Sequence, residues 1–195
     1  MIQADPASAK ALLREEMRAL RRGLRKDVPG AAEQAAANLP QSLLGRFAVV
    51  SGYHPLGGEI DPRPLMARLQ AAGATLALPV TLDRDAPLIF RRYWPGEPVH
   101  PDAIGVPSPA PEAAEVRPDL VITPLVAFDR RGARMGQGGG FYDRTLAALR
   151  ARGPVFALGL AYAGQEVARI PGEAHDQMLD AILTETGYIP ARKDF

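Results

Sequence analysis

Short apolar runs alternate with amphipathic stretches through most of this chain. Leu13, Met17, Leu20 and Leu24 recur at spacings of four, three and four, the repeat of one helical face. Asp5 followed by Pro6 supplies a capping acid and a proline at the first helical position, and Pro29-Gly30 ends the segment. Residues 31–44 read as a second, alanine-rich helix that Pro40 interrupts. Phe47 to Tyr53 is a short apolar run with β-branched residues, which predicts a buried strand. Asp61-Pro62 caps the next helix, with Leu65, Met66 and Leu69 as its apolar positions and Gly73 closing it. Further strands are predicted at 74–80, 88–93, 120–123 and 155–161, with 181–184 the last, and a helix from Asp143 to about Arg152. The proline-rich residues 94–118 predict an irregular connection. Strands alternating with helices imply an α/β fold: mostly parallel strands joined by crossovers, with helices on both faces.

A length of 195 residues favours a single domain spanning 1–195 with a sizeable core. The net charge of +1 leaves no global field to attract nucleic acid or an anionic membrane. That charge is uneven, however. Lys10, Arg14, Arg18, Arg21, Arg22, Arg25 and Lys26 crowd the first helix against only Glu15 and Glu16. Lys10, Arg14, Arg18, Arg21 and Arg25 share one helical face, which reads mostly as a solvated face. The chain has no cysteine, so disulfides, thiolate zinc sites and a cysteine nucleophile are excluded. It has no bilayer-length apolar run and its first residues lack the order of a signal peptide, so a cytoplasmic monomer is expected.

Candidate chemistry concentrates at Arg134–Arg144 (RMGQGGGFYDR), where Gly136, Gly138, Gly139 and Gly140 precede an apolar helical pattern. Glycines let backbone N–H groups converge on an anion, and a helix starting there adds the positive end of its dipole. The loop matches neither a P-loop nor a dinucleotide fingerprint, since Phe141 stands where the latter needs glycine. Arg130, Arg131, Arg134 and Arg144 surround it and suit phosphate oxygens. Asp143 and Asp176 are two carboxylates from distant segments that suit Mg²⁺ beside phosphate. Glu59 follows the flexible pair Gly57-Gly58 and reads either as a substrate hydrogen-bond partner or base, or as a solvated loop acid. His54 is a ligand contact or a strand-end residue. No Gly-x-Ser-x-Gly elbow appears, and three scattered histidines argue against zinc.

These residues resemble a known family, the 5-formyltetrahydrofolate cyclo-ligases, also called 5,10-methenyltetrahydrofolate synthetases. The resemblance rests on Arg134–Arg144 and on Lys10–Arg14 (KALLR), Tyr53–Glu59, Phe90–Pro95, Gly105–Pro109, Pro118–Phe128 and His175–Asp180, in the same order. Gly139 stands where some members carry Lys, and Phe141 where Tyr is common. The resemblance implies a three-layer α/β/α domain. It also implies ATP- and Mg²⁺-dependent closure of 5-formyltetrahydrofolate, with or without a polyglutamate tail, to 5,10-methenyltetrahydrofolate through a phosphorylated formyl group. Carried onto this chain, it implies that Lys10, Arg14 and Arg134 to Tyr142 (Met135, Gly136, Gln137, Gly138, Gly139, Gly140 and Phe141 among them) contact ATP. His54, Glu59 and Gln137 to Phe141 would face the folate. Tyr142 and Glu59 are the catalytic candidates, and Asp143 and Asp176 the Mg²⁺ ligands. Arg14 is expected to matter far more than Arg18 or Arg25. Two other readings stay open: a sugar-phosphate isomerase or CoA-transferase relative on a similar fold, and a non-catalytic RNA- or partner-binding module using the basic helix.

Overall fold

The structure, a computed structural model, describes residues 6–192. The capping role read for Asp5 lies outside the described residues. The chain runs α1 (Pro6–Asp27), α2 (Ala31–Ala37), β1 (Val49–Ser51), α3 (Arg63–Ala71), β2 (Thr75–Val80), β3 (Ile89–Arg92), β4 (His100–Pro101) and β5 (Pro107–Ser108). It continues through β6 (Leu120–Pro124), β7 (Ala127–Phe128), β8 (Arg134–Met135), α4 (Phe141–Ala151), β9 (Phe156–Leu160), β10 (Ala181–Thr184) and β11 (Gly187–Pro190). Seven strands form the main sheet in the order β11-β10-β9-β6-β1-β2-β3. The five inner strands are parallel, and β3 and β11 join the two edges antiparallel.

The inner strands are buried almost continuously, as a sheet covered on both faces requires, and successive side chains enter opposite layers. Leu76, Leu78, Leu120, Ile122, Leu158, Leu160, Ala181 and Leu183 pack on one side with Leu65, Met66 and Leu69 of α3 and Ala31 and Ala35 of α2. Ala77, Val121, Ala157 and Ile182 point the other way, onto Leu146 and Leu149 of α4. The result is the expected α/β/α layering in one fold.

Several boundaries differ from the sequence expectation for physical reasons. Residues 31–44 are α2 followed by a 3₁₀ turn at Gln41–Leu43, with the break at Pro40, which has no N–H to donate. Pro62 and not Asp61 stands at the cap of α3, which has no side-chain cap bond, although Asp61 one residue before it accepts the Arg63 N–H at 2.9 Å. The strand at 181–184 is not the last, because β11 returns beside it as a hairpin. Its half-exposed Gly-Tyr-Ile-Pro run carries no alternation that would announce it. The proline-rich segment is not wholly irregular, since β4 and β5 pair within it. Helix α4 begins at Phe141, two residues earlier than expected, because Gly140 at φ 66° turns the chain into it.

Helix α1 lies apart from the three layers. Met17 and Leu13 pack on Val126, Ala127 and Met135 of the β7–β8 ribbon, and Leu24 reaches the first core. Leu20 was expected on this stripe but is 43% exposed, and Arg21 beside it is 2% exposed. The inward face of α1 is therefore part apolar and part cationic.

Gly132 shows how closely the loops of this end are fitted. Its φ is +89°, and a Cβ there would lie 2.5 Å from the Leu179 carbonyl oxygen. Gly132 also accepts the Leu179 N–H at 2.8 Å, tying the 129–132 turn to the segment after residue 176. Gly132→Ala should lower unfolding stability by about 2–4 kcal/mol, from left-handed strain plus overpacking. Gly172→Ala, where a Cβ meets open space, should stay within about 0.5 kcal/mol of the parent. Urea melts of the two variants check this, and equal stabilities would contradict it.

Candidate active site at the carboxyl edge of the sheet

Parallel sheets bind ligands beyond the carboxyl ends of their strands, and here the loops from four strands meet. Tyr53 to Glu59 follow β1, Thr81 follows β2, Leu125 follows β6, and residues 173–176 come after β9. With the glycine loop and α1 they enclose a cavity of about 430 Å³, a small-molecule size. The structure brings Lys10, Arg14, His54, Glu59, Arg134 to Tyr142, Asp143 and Asp176 to this one cavity. Arg130, Arg131 and Arg144, expected beside phosphate, do not line it; they donate to Glu166, to Asp129 and to the Arg84 and Gly139 carbonyls, respectively.

The glycine loop is built for close approach. Gly138 and Gly140 have φ of +105° and +66°, which only glycine adopts without strain. No side chain caps α4, so its first-turn N–H groups are available to a ligand. A Cβ at Gly139 would stand 2.9 Å from the Phe141 ring. The glycine at 139 and the phenylalanine at 141 thus fit each other. The Arg144 guanidinium lies over that ring, 5.2 Å from its centre.

Helix α1 reaches this loop with consecutive cations. Arg14 Nε donates to the Gly136 carbonyl at 3.0 Å. Arg18 grips Gln137 twice, at the side-chain oxygen (2.7 Å) and the carbonyl (2.8 Å). Arg21 donates to Glu59 Oε1 at 3.4 Å, to the Leu125 carbonyl at 3.0 Å and to the Gly57 carbonyl at 3.1 Å. Arg18 thus holds the loop as directly as Arg14 does, although of the two only Arg14 lines the cavity. The solvated reading of this face is corrected, because two successive turns of α1 aim their charges inward.

At the far end of α1, Lys10 Nζ sits 2.8 Å from Glu173 Oε2 and 3.0 Å from Asp176 Oδ2. Burial works against its ammonium, but these two carboxylates outweigh it and hold the lysine above its usual pKa. Asp176 also accepts the Glu173 N–H at 2.8 Å. Against the cost of its own burial, that bond and Lys10 hold its carboxyl below the usual value. Ligand atoms of Glu173, His175 and Asp176 all lie within 4.8 Å of one another. Asp143 stands outside this cluster, where its Oδ1 accepts Arg134 at 2.8 Å and the Gln177 N–H at 2.9 Å. Arg134 is 4% exposed, and burial pulls its pKa down while Asp143 supports its charge.

The opposite end of the cavity is drier. Burial pushes the Glu59 carboxyl up, although the Leu56 N–H, Arg21 and the Gln137 side chain favour its ionised form. Burial, reinforced by Glu59, also pushes the Tyr142 hydroxyl up. Tyr142 is therefore a neutral donor at ordinary pH and not a base. Leu56, Leu88, Ile104, Val106 and Phe141 supply apolar wall.

Against known proteins, the family model of the 5-formyltetrahydrofolate cyclo-ligase family matches residues 6–185. The chain belongs to that family. Relatives named 5-formyltetrahydrofolate cyclo-ligase include one from Haemophilus influenzae, 34% identical over 178 residues, covering 88% of this chain and 95% of the relative. One from Escherichia coli K12 is 32% identical and covers 89% and 96%. The solved 5,10-methenyltetrahydrofolate synthetase of Aquifex aeolicus superposes with a TM-score of 0.78 at 28% identity, over 95% of this chain and 94% of that one. Among the described residues no helix is long and apolar enough to cross a membrane.

Sequence reasoning missed some walls of this cyclo-ligase cavity. Asp102 and Ile104 come from the proline-rich segment read as a connection, and Val106 from the Gly105–Pro109 run that entered only through the resemblance. Asp102 accepts the N–H groups of Thr81, Ile104 and Val106 at 2.9–3.0 Å and so fixes that segment against β2. An aspartate followed two and four residues on by apolar residues in a glycine turn was the available signal. Glu173 and Arg21 carried none that separated them from ordinary surface charges.

Because the Lys10 ammonium already occupies the Glu173–Asp176 carboxylates, it competes with any divalent cation there. Lys10→Ala should tighten Mn²⁺ binding to the nucleotide-free protein about tenfold, the worth of a charged contact. Mn²⁺ titration by electron paramagnetic resonance checks this. Unchanged or weaker binding would mean that these carboxylates do not take a metal.

Proposed function

We propose that this protein closes 5-formyltetrahydrofolate to 5,10-methenyltetrahydrofolate at the expense of ATP, with Mg²⁺, releasing ADP and phosphate. The observation that supports this most is the union, in one cavity, of an uncapped helix N-terminus behind a glycine loop with a buried carboxylate and apolar walls. The first end suits a triphosphate and the second a pterin ring with its aminobenzoyl group. Family membership supports the same reading.

The residues fit the absent groups. Lys10, Arg14 and Arg134 are cations lining the phosphate end, and the backbone from Met135 to Phe141, with Tyr142 behind it, would cradle the nucleotide. Asp143 and Asp176 would hold Mg²⁺, which keeps several waters and needs few protein ligands. Glu173 and His175 stand close enough to Asp176 to share that task. His54 and Glu59, with Gln137 to Phe141, would contact the folate.

A formamide oxygen is a poor leaving group, and the nucleotide supplies the phosphoryl group that makes it a good one. The protein's work is then to hold the formyl oxygen in line with the phosphate end and to balance charge. Glu59 accepts hydrogen bonds from ring N–H groups and fixes the pterin. Tyr142, kept protonated, donates to oxygen at the junction of the two ends. The apolar walls exclude water, so the activated carbon meets nitrogen 10 of the folate before it meets solvent. The inward turn of Lys10, Arg14, Arg18 and Arg21 weighs against α1 as a nucleic-acid surface.

Purified protein given ATP, Mg²⁺ and 5-formyltetrahydrofolate should develop the ultraviolet band of the methenyl product, with one ADP per methenyl formed. Glu59→Gln should raise the folate KM about 10-fold or more while leaving the ATP KM nearly unchanged. ADP release at the same rate without folate, and no methenyl band, would overturn the assignment.

A further inference from the structure

Arg21 is the largest of the fully buried side chains, at 2% exposure. A guanidinium stays charged and carries five N–H donors. Three of its contacts are the two carbonyls of Gly57 and Leu125 and the Glu59 carboxylate, while its Nε has no partner among the described residues. Glu59 is itself only 8% exposed, and its second oxygen accepts the Leu56 N–H at 3.0 Å. On its other side stands Gln137. Arg18 Nε holds the Gln137 side-chain oxygen, and the Gln137 side chain favours the ionised form of Glu59. From β1 and α4 the hydroxyls of Tyr53 and Tyr142 feel the same carboxylate, and both are pushed up by burial and by its charge. They stay neutral, so Arg21 is the cation that faces Glu59.

We propose that Arg21 is a positioning residue for the folate: it keeps the Glu59 carboxylate charged and fixed in the cavity wall, with Arg18 steadying it from the other side through Gln137. The inference rests on Glu59 being the folate contact. A carboxylic acid this dry drifts toward its neutral form, which loses half of its accepting capacity. A pterin edge that offers two N–H groups needs the ionised form. The two arginines, one turn apart on α1, therefore tie the geometry of the folate end to the docking of the helix that serves the phosphate end.

The test has two readouts. The first needs no substrate. The folded pKa of Glu59 is raised, so the stability this group contributes is complete below its unfolded value of about 4.5 and is lost as pH rises through the folded value. Removing Arg21 raises the folded value further and deepens that loss. The melting temperature of Arg21→Met should therefore fall increasingly behind the parent between about pH 5 and pH 8, and Arg21→Met/Glu59→Gln should recover much of the deficit at pH 8. If Arg21→Met does not fold at pH 8, the double variant still should. The second readout is the folate KM against pH. Its acid limb should move up by about one unit in Arg21→Met and vanish in Glu59→Gln, with the pH dependence of the ATP KM unchanged in both. Arg21→Lys should restore most of the limb.

A deficit in Arg21→Met that is the same at every pH and is not relieved by Glu59→Gln would overturn the proposal and leave Arg21 as a staple for two carbonyls. A melting profile that responds as described, with a folate KM that ignores pH in the parent, would retain the Arg21–Glu59 pair but overturn its service to folate. Absence of any folate-dependent turnover in the parent would instead sink the cyclo-ligase reading, whatever the melts show.

Discussion

A cation buried at the edge of a protein must find oxygen partners, and in this structure that requirement fixes the placement of α1. Its apolar contacts, Leu13, Met17 and Leu24, are few for a helix of 22 residues. The remaining inward positions are Lys10, Arg14, Arg18 and Arg21, and each reaches an oxygen of the cavity wall. Hydrogen bonds to charged groups contribute about 1.5–3 kcal/mol each, more than an exposed ion pair. Leaving any of these charges unpaired in a half-dry cleft would cost at least as much. The helix therefore sits where carbonyls and carboxylates converge, and that place is the mouth of the site.

The same requirement separates the cavity into two chemistries. At the end lined by Lys10 and Arg14 the positive groups face the cavity and their present partners are exchangeable: a carbonyl for Arg14, carboxylates for Lys10. An incoming polyanion with its metal can replace those partners without stranding a charge. Around Glu59 the charge is inverted and dry, with the carboxylate held by Arg21 and the Leu56 N–H and faced by neutral tyrosines. The proposed reaction, which joins a phosphoryl donor to a formamide, needs both environments side by side in one cavity. The loop from Gly136 to Phe141 is the seam between them.

Much of this was legible in the residues. The apolar periods located all five inner strands and three helices, because a sheet covered on both faces gives dense apolar runs. The glycine loop announced the sharp turn into α4, whose start the structure leaves without a side-chain cap. What stayed hidden was decided by tertiary packing. Leu20 and Arg21 are neighbours, and helical spacing alone favours Leu20 for the core. The carbonyls of Gly57 and Leu125 and the carboxylate of Glu59 reverse that choice, and no local pattern records where those oxygens lie. Strand β11 escaped because an edge hairpin is held by its ladder and not by buried side chains. The wall from Asp102 to Val106 escaped because proline density conceals an aspartate that organises a turn.

The central claim is that α1 and the glycine loop close on one nucleotide as a unit. Amide hydrogen exchange tests it most directly, with the protein free and then saturated with Mg²⁺ and a non-hydrolysable ATP analogue. Nucleotide should slow exchange together in residues 10–21 and in 136–146, with little change in the strands behind them. Protection of the loop with α1 exchanging as in the free protein, or protection at a different face altogether, would contradict the account.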